Sequence, residues 1–389
     1  MNFSEDEDVQ LLRRTIAEFM KGFPAEYWRR HDSLREFPRD FWDAAARNGL
    51  LGITIPEEYG GAGLGMYAAA VAMNEVARNG GGLAAGDLLM RTLVFGGLLI
   101  NKHASREAKE KYLPKLAEGK IICAFAHTEP NAGVNTFDIQ TKAVKKDGGF
   151  VVNGQKIWIT LAHMADLIIG VVRTTPKDKV QRKSHGISLL LIDAKQPGVK
   201  TSRIPGMALR ALPSNQVYFE DVWVPEENVV GEVDRGWETL TVLLNAERIS
   251  TASISLGCGE YALQRAVEYA SNRLVFGRPI GSNQAIQFPL AEAKAELEVA
   301  KLMTLKAAWL HDQGLDCAVE ANIAALQAAR AAFKAADRAV QTFGGMGFAE
   351  ENDIERVFRD VRLFRTAPVP EEMVLNFIAT RALGLPRSF

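Results

Sequence analysis

Cysteine is scarce in this chain, and an excess of either charge is missing. Only three cysteines occur in 389 residues, and Cys123, Cys258 and Cys317 lie far apart. They form no Cys-x-x-Cys pair, which excludes a local metal knuckle or redox dithiol and suits a reducing compartment. Lys plus Arg number 46 against 47 Asp plus Glu, a net charge of −1. No Lys/Arg run appears, so the charge points to no nucleic-acid partner. The six histidines, His31, His103, His127, His163, His185 and His311, lack metal-ligand spacing. No uncharged apolar run reaches the roughly 18 residues of a membrane helix. The start, Met1-Asn-Phe-Ser-Glu-Asp-Glu-Asp, has neither an apolar signal core nor an Arg-rich transit pattern. Repeats and low-complexity segments are absent too. The expectation is a soluble cytoplasmic protein with no membrane or nucleic-acid partner and no metal.

What is present is an ordinary globular composition, 47% hydrophobic and 24% charged. The length implies two or three domains around a large core. Residues 1–121 read as helical: Ser4 with Glu7 forms a capping box, and Leu11, Leu12, Ile16 and Phe19 recur at helical spacing. Gly60-Gly61-Ala-Gly63-Leu-Gly65 follows no apolar strand and lacks the last glycine of a dinucleotide fingerprint. Residues 122–228 read as β. Leu167–Val172 and Ile187–Ile192 are apolar strands, Gln216–Val224 alternates, and Asn153-Gly154 is a hairpin-type turn. Residues 229–389 return to long helices, over Trp237–Asn272, Gln284–Gln313 and Cys317–Phe343. The fold class is α+β: an N-terminal helical domain, a middle β-barrel or sandwich, and a C-terminal four-helix bundle.

Four motifs fall in order. They are Phe125-Ala-His-Thr128-Glu129-Pro130, Trp158-Ile159-Thr160, Arg273-Leu-Val-Phe276-Gly277, and Gln341-Thr-Phe-Gly344-Gly345 with Arg359-Asp360 beyond it. Together with Phe219–Pro225 and Glu247-Arg248, they resemble the acyl-CoA dehydrogenase family over nearly the whole chain. The resemblance implies one FAD and an acyl-CoA site per subunit, in a homotetramer or homodimer that passes electrons to an electron-transfer flavoprotein or similar acceptor. Matched by position, Phe125, Thr128, Val134, Trp158 and Thr160 would lie against the flavin. Arg273, Phe276, Gln284, Gln341, Gly344 and Gly345 would reach the diphosphate and adenosine half of a neighbouring subunit's FAD. Asn245 and Arg248 match substrate-contacting positions. Each residue also has a plainer reading: Trp158 as a core aromatic, Arg273 as a cation at a helix C-terminus, Gly344-Gly345 as a helix stop.

Three departures stand out. The family loop continues Gly-Ser-Asp, and here it is Gly133-Val134-Asn135, which removes a hydroxyl contact. Leu161-Ala162 replaces Asn-Gly after Thr160. The family's usual catalytic glutamate falls at Pro368, which has neither a carboxylate nor an N–H. Leu240, Leu244, Glu247, Thr251, Ile254 and Cys258 recur at helical steps and place Glu247 on a mostly apolar face. Burial there would raise its pKa toward that of a base. The other reading makes it a structural ion-pair partner, and Glu371 or Glu372 remain lesser candidates. By the same resemblance, counted back from Lys111-Tyr112-Leu113, Arg91 falls where the family lines the far end of the acyl pocket, and a cation there would suit a polar or carboxylated tail; a structural salt bridge or solvent exposure is the alternative. On a continuous strand, His127 would point away from the flavin if Thr128 points toward it. The expected activity is α,β-dehydrogenation of an acyl-CoA with Glu247 as base. The alternatives are enoyl-CoA reduction, a non-redox elimination, or a non-catalytic acyl-CoA-binding subunit.

Overall fold

A computed structural model describes residues 6–387. Ser4 lies outside the described residues. The first helix starts at Glu7, and Asp6 caps it, its Oδ1 accepting the Val9 N–H at 2.8 Å. The helices before the sheet are α1 (Glu7–Met20), α2 (Ala25–Leu34), α3 (Arg39–Arg47), α4 (Met66–Val76), α5 (Gly82–Met90), α6 (Leu99–His103) and α7 (Arg106–Ala117). The run Met66–His103, although interrupted by charged residues such as Asp87 and Arg91, is long and apolar enough to cross a membrane by length and composition, but 94% of its most apolar window is buried inside the protein. Its apolar surface is used in packing. The run breaks at Asn79-Gly80 and passes through a π-helical stretch, Arg91–Leu98. Wide turns of this kind are rare and concentrate near functional sites.

The strands are β1 (Cys123–Ala126), β2 (Lys142–Lys146), β3 (Gly149–Thr160), β4 (Leu167–Arg173), β5 (Ile187–Asp193), β6 (Val199–Arg203), β7 (Ser214–Pro225) and β8 (Val229–Val230). They form one sheet in the order β6-β7-β3-β2-β4-β5-β8, with β1 parallel to β4. Asn153-Gly154 is no hairpin turn. The turn sits at Asp147-Gly148, both with positive φ (48° and 74°), as a two-residue hairpin requires. β3 runs on through Asn153, and Gly154 marks a bulge pressed on Thr141. Period-two alternation then sorts the sheet. Ala124, Ala126, Ile168 and Val172 enter a small β core, while Cys123, Leu167, Ile169 and Val171 join the large helical core.

The chain ends in α8 (Gly236–Asn272), a short hairpin β9 (Leu274–Val275) and β10 (Arg278–Pro279), then α9 (Gln284–Asp312), α10 (Ala318–Phe343), α11 (Ile354–Leu363) and α12 (Glu371–Arg381). α8, α9 and α10 pack together, and α11 and α12 lie on α10. Small residues set the approach of α8 to the N-terminal helices. A Cβ on Gly86 would meet Ile254 at 2.6 Å, and one on Gly257 would meet the Asn74 carbonyl at 2.5 Å. Arg359 and Asp360 of α11 fasten the three regions. Arg359 donates to Asp32 of α2 (2.8 Å) and to the Met207 carbonyl (2.7 Å), and Asp360 accepts the Leu209 N–H (2.9 Å).

Candidate active site

A cavity of about 940 Å³ opens between the sheet edge, α8 and the helical wall of residues 83–95. That volume lies at the upper end of the roughly 300–1,000 Å³ usual for small-molecule sites. Phe125 reaches it by strand alternation and stacks on Phe95 at 4.7 Å. β1 stops at Ala126, so alternation no longer governs the next residues, and His127 and Thr128 both line the cavity. The expectation that His127 points away therefore fails. Its Nε2 is buried without a partner, and burial, with Lys156 adding to it, pushes the imidazole down to about 3, leaving the ring neutral.

Glu129 does not line the cavity; it braces the loop. Its carboxylate accepts the N–H groups of Gln140 (2.6 Å) and Thr141 (2.9 Å) and the Lys156 ammonium (2.8 Å). Lys156 also donates to the His127 carbonyl at 2.7 Å. Burial works to raise the Glu129 pKa, but Lys156 and the N–H donors outweigh it and hold the carboxyl below its ordinary value. Lys156 is wholly buried, and burial pushes its ammonium down to about 8 against the pull of Glu129. The sequence reading missed Lys156. Its signal was register: Phe150, Val152 and Lys156 share the inward face of β3.

Trp158 owes its place to a second bulge. Between Lys156 and Ile159, β3 holds one residue more than β7, and Trp158 takes φ 63°. The indole leaves the ladder and stands 58% exposed at the cavity, so it is no core aromatic. Thr160 ends the strand, buried, at the same wall, and Val134 lies at its rim, half exposed. Leu161 and Ala162 are buried in the two cores. Among the described residues the hydroxyls of Thr128 and Thr160 have no protein hydrogen-bond partner. Two free hydroxyls beside an exposed indole face fit a flat heteroaromatic group with polar edges, and the isoalloxazine of FAD is such a group.

From α8, Leu244, Glu247, Thr251 and Ile254 line the cavity, as their stripe predicts, joined by Asn245 and Arg248. Arg248 is held by Asn322 (3.0 Å) and the Leu244 carbonyl (2.8 Å). Glu247 is 7% exposed and makes no side-chain hydrogen bond or ion pair among the described residues. Burial pushes its carboxyl up to about 7, with Arg248 and Arg91 opposing. Pro368, Val369 and Pro370 line the same cavity and bring no carboxylate. Glu371 lies outside it, paired with Arg365 (2.8 Å) and Arg330 (3.5 Å), and Glu372 does not line it. Of the lining carboxylates, Asp87 is bonded to Arg91 and Asp316 is exposed. Glu247 is the one that is buried and unbonded among the described residues.

Arg273, Phe276, Gln284, Gln341, Gly344 and Gly345 do not line this cavity. All six are exposed, at one end of the helical bundle. Arg273 closes α8, Phe276 tips the β9–β10 hairpin with φ 52° and full exposure, and Gln284 opens α9. Gly344, at φ 60°, ends α10, so the helix-stop reading holds for its backbone. Tyr269 stacked on Phe343 at 4.2 Å joins the ends of α8 and α10. The sequence candidates thus form two groups, one around the cavity and one facing outward.

Three family models match the chain: the acyl-CoA dehydrogenase N-terminal domain over residues 6–120, the middle domain over 124–222 and the C-terminal domain over 234–383. The chain is 36% identical over 390 residues to acyl-CoA dehydrogenase FadE12 of Mycobacterium tuberculosis, covering 100% of this chain and 99% of that one. It is 33% identical to the 3-(aryl)acrylate reductase of Clostridium sporogenes over 97% of this chain and 99% of that one. Among solved structures, a glutaryl-coenzyme A dehydrogenase complexed with glutaryl-CoA superposes with a TM-score of 0.94 at 29% identity, covering 100% of this chain and 98% of that one.

Proposed function

The chain belongs to the acyl-CoA dehydrogenase family of FAD oxidoreductases, and from that premise we propose that it removes the α and β hydrogens of an acyl-CoA thioester with Glu247 as the base. The observation that carries this reading is the isolation of Glu247: a buried carboxylate, without hydrogen bonds, in the cavity where Pro368 contributes none. FAD, when bound, supplies the acceptor for the β-hydride. Thr128, Thr160 and Trp158 would hold and shield its ring. Glu247 takes the α-proton, its carboxylate becoming a carboxylic acid, and the product is the enoyl-CoA. A pKa near neutrality suits a group that must be free to accept a proton and then lose it again.

The outward group of Arg273, Phe276, Gln341 and Gly344-Gly345 serves the FAD of a neighbouring copy in a homotetramer. The complete exposure of Phe276 supports this, since a lone monomer gains nothing from it. Electrons leave to an electron-transfer flavoprotein or similar acceptor. A second reading runs the reaction backward, with protonated Glu247 giving the α-proton to an enoyl-CoA. A carboxyl near 7 is half protonated at neutral pH, and one relative is named as an acrylate reductase.

The test is anaerobic. The yellow protein is mixed with acyl-CoA thioesters differing in chain length, branching and polarity. Bleaching of the flavin by at least one is expected. If none bleaches it while an enoyl-CoA reoxidises the chemically reduced flavin, the backward reading replaces the first. A colourless protein that takes up no FAD sinks both.

A further inference from the structure

One charged pair stands in an otherwise apolar stretch of the cavity wall. Arg91 and Asp87 lie one turn apart where α5 passes into the π-helical stretch. Arg91 Nε donates to Asp87 Oδ2 at 2.6 Å and Nη2 to Oδ1 at 3.0 Å, a parallel two-bond pairing. Arg91 is 8% exposed and Asp87 4%, and both line the cavity beside Leu83, Met90, Leu244 and Ile254. Glu247 lines the same space, close enough for both charges to act on it. The salt-bridge reading of Arg91 is therefore met, yet the pair still faces the ligand space.

Its chemistry is specific. Guanidinium has five N–H donors and a carboxylate about four lone-pair sites. Two of each are used in the pair, and no further partner occurs among the described residues. The pair therefore brings unmet donors and unmet acceptors to the lining of one cavity, with no net charge of its own. An alkyl chain laid over them would displace water and return no hydrogen bonds. A carboxylate would find the remaining guanidinium donors but also the fixed charges of Asp87 and, above its pKa, Glu247. A neutral group that both gives and takes a hydrogen bond meets both halves.

We infer that the Asp87–Arg91 pair selects acyl groups carrying an uncharged hydrogen-bonding substituent, a hydroxyl or a primary amide, over plain alkyl and carboxylate-ended chains. This rests on the acyl-CoA reading of the cavity. It departs from the expectation for a lone cation, because Asp87 cancels the charge that would attract a carboxylate.

The experiment uses the FAD-loaded enzyme and three series of CoA thioesters matched in chain length: alkyl, ω-hydroxyl and ω-carboxyl. Dissociation constants are read from perturbation of the flavin spectrum and rates from anaerobic bleaching. The wild type is expected to bind the best hydroxyl-bearing member roughly tenfold tighter than its alkyl and carboxyl counterparts, the worth of one or two net hydrogen bonds. Asp87→Asn, which frees the cation, shifts the preference to carboxylates. The double substitution Asp87→Leu with Arg91→Met shifts it to alkyl chains. Equal binding of the three series by the wild type, or a double variant that keeps the hydroxyl preference, overturns the inference. If the variants do not fold, the wild-type ranking alone decides. If no thioester in any series binds or bleaches the flavin, the acyl-CoA reading itself has failed.

Discussion

Replacing Glu247 by glutamine should make the protein more stable and nearly inactive. Burial raises the carboxyl from an ordinary 4.5 to about 7. The folded state thus holds the proton more tightly than the unfolded chain does. The associated stability is fully present below pH 4.5 and is lost as pH rises through 7, at a total cost of about 3 kcal/mol. Glutamine has the same shape and never ionises. At pH 8 Glu247→Gln should exceed the wild type by up to about 3 kcal/mol in denaturant unfolding, and the two should converge near pH 4. A base typically contributes about 10²–10⁴-fold to rate. The apparent second-order rate of flavin bleaching should therefore fall by that factor.

The pH profile supplies a second arm. In the wild type that rate should rise about tenfold per pH unit below 7 and level off above, reporting the ionisation of the free enzyme. In the glutamine variant this rise should vanish. A structural ion-pair role makes the opposite prediction, since loss of one partner would leave a buried arginine uncompensated and lower stability at pH 8. A variant that is less stable at pH 8, or one that bleaches within a few-fold of the wild type, refutes the assignment of Glu247 as the base.

Lys156→Met should cost about 3–5 kcal/mol in urea unfolding, because it leaves Glu129 buried with only its two N–H donors; a loss under about 1 kcal/mol would show the pair to be dispensable. Arg273→Ala should weaken FAD retention by roughly 10–100-fold, the worth of charge-assisted bonds to a diphosphate, while leaving monomer unfolding unchanged; the flavin-to-protein ratio after gel filtration checks it. Gly86→Ala should destabilise by about 1–3 kcal/mol, since its methyl would meet Ile254 at 2.6 Å, and the displaced α5 should also weaken acyl-CoA binding in the flavin-spectrum assay.

The sequence carried what depends on periodicity and missed what depends on contact across the fold. The Glu247 stripe was legible because four of its members, from Leu244 to Ile254, repeat at helical steps, and those four line one wall. Phe125 and Trp158 were legible as motif positions, but the bulge that turns Trp158 outward depends on β7 being one residue shorter there. Asn153-Gly154 and Asp147-Gly148 are both good turn pairs. Only the pairing of Lys146 with Gly149 decides between them, and that is a tertiary fact. His127 was misplaced because alternation was extended past the end of a four-residue strand. Asp87 went unnoticed beside Arg91, although a four-residue spacing on a helix is the ordinary signal of such a pair.

A base on α8, as proposed, rather than in the segment at Pro368 would differ in more than its address. The Ala367–Pro370 segment is a short connection between α11 and α12, whereas α8 is a 37-residue helix pressed against the N-terminal helices at Gly86 and Gly257. A carboxylate on such a helix has little freedom to swing toward solvent, so its desolvation persists and its pKa stays near neutrality. Near neutrality both protonation states are populated, so Glu247 in the proposed role could take an α-proton or give one. The direction of the proposed reaction is then set by the redox partner and by the acyl group that the Asp87–Arg91 wall admits, not by the proton-transfer residue.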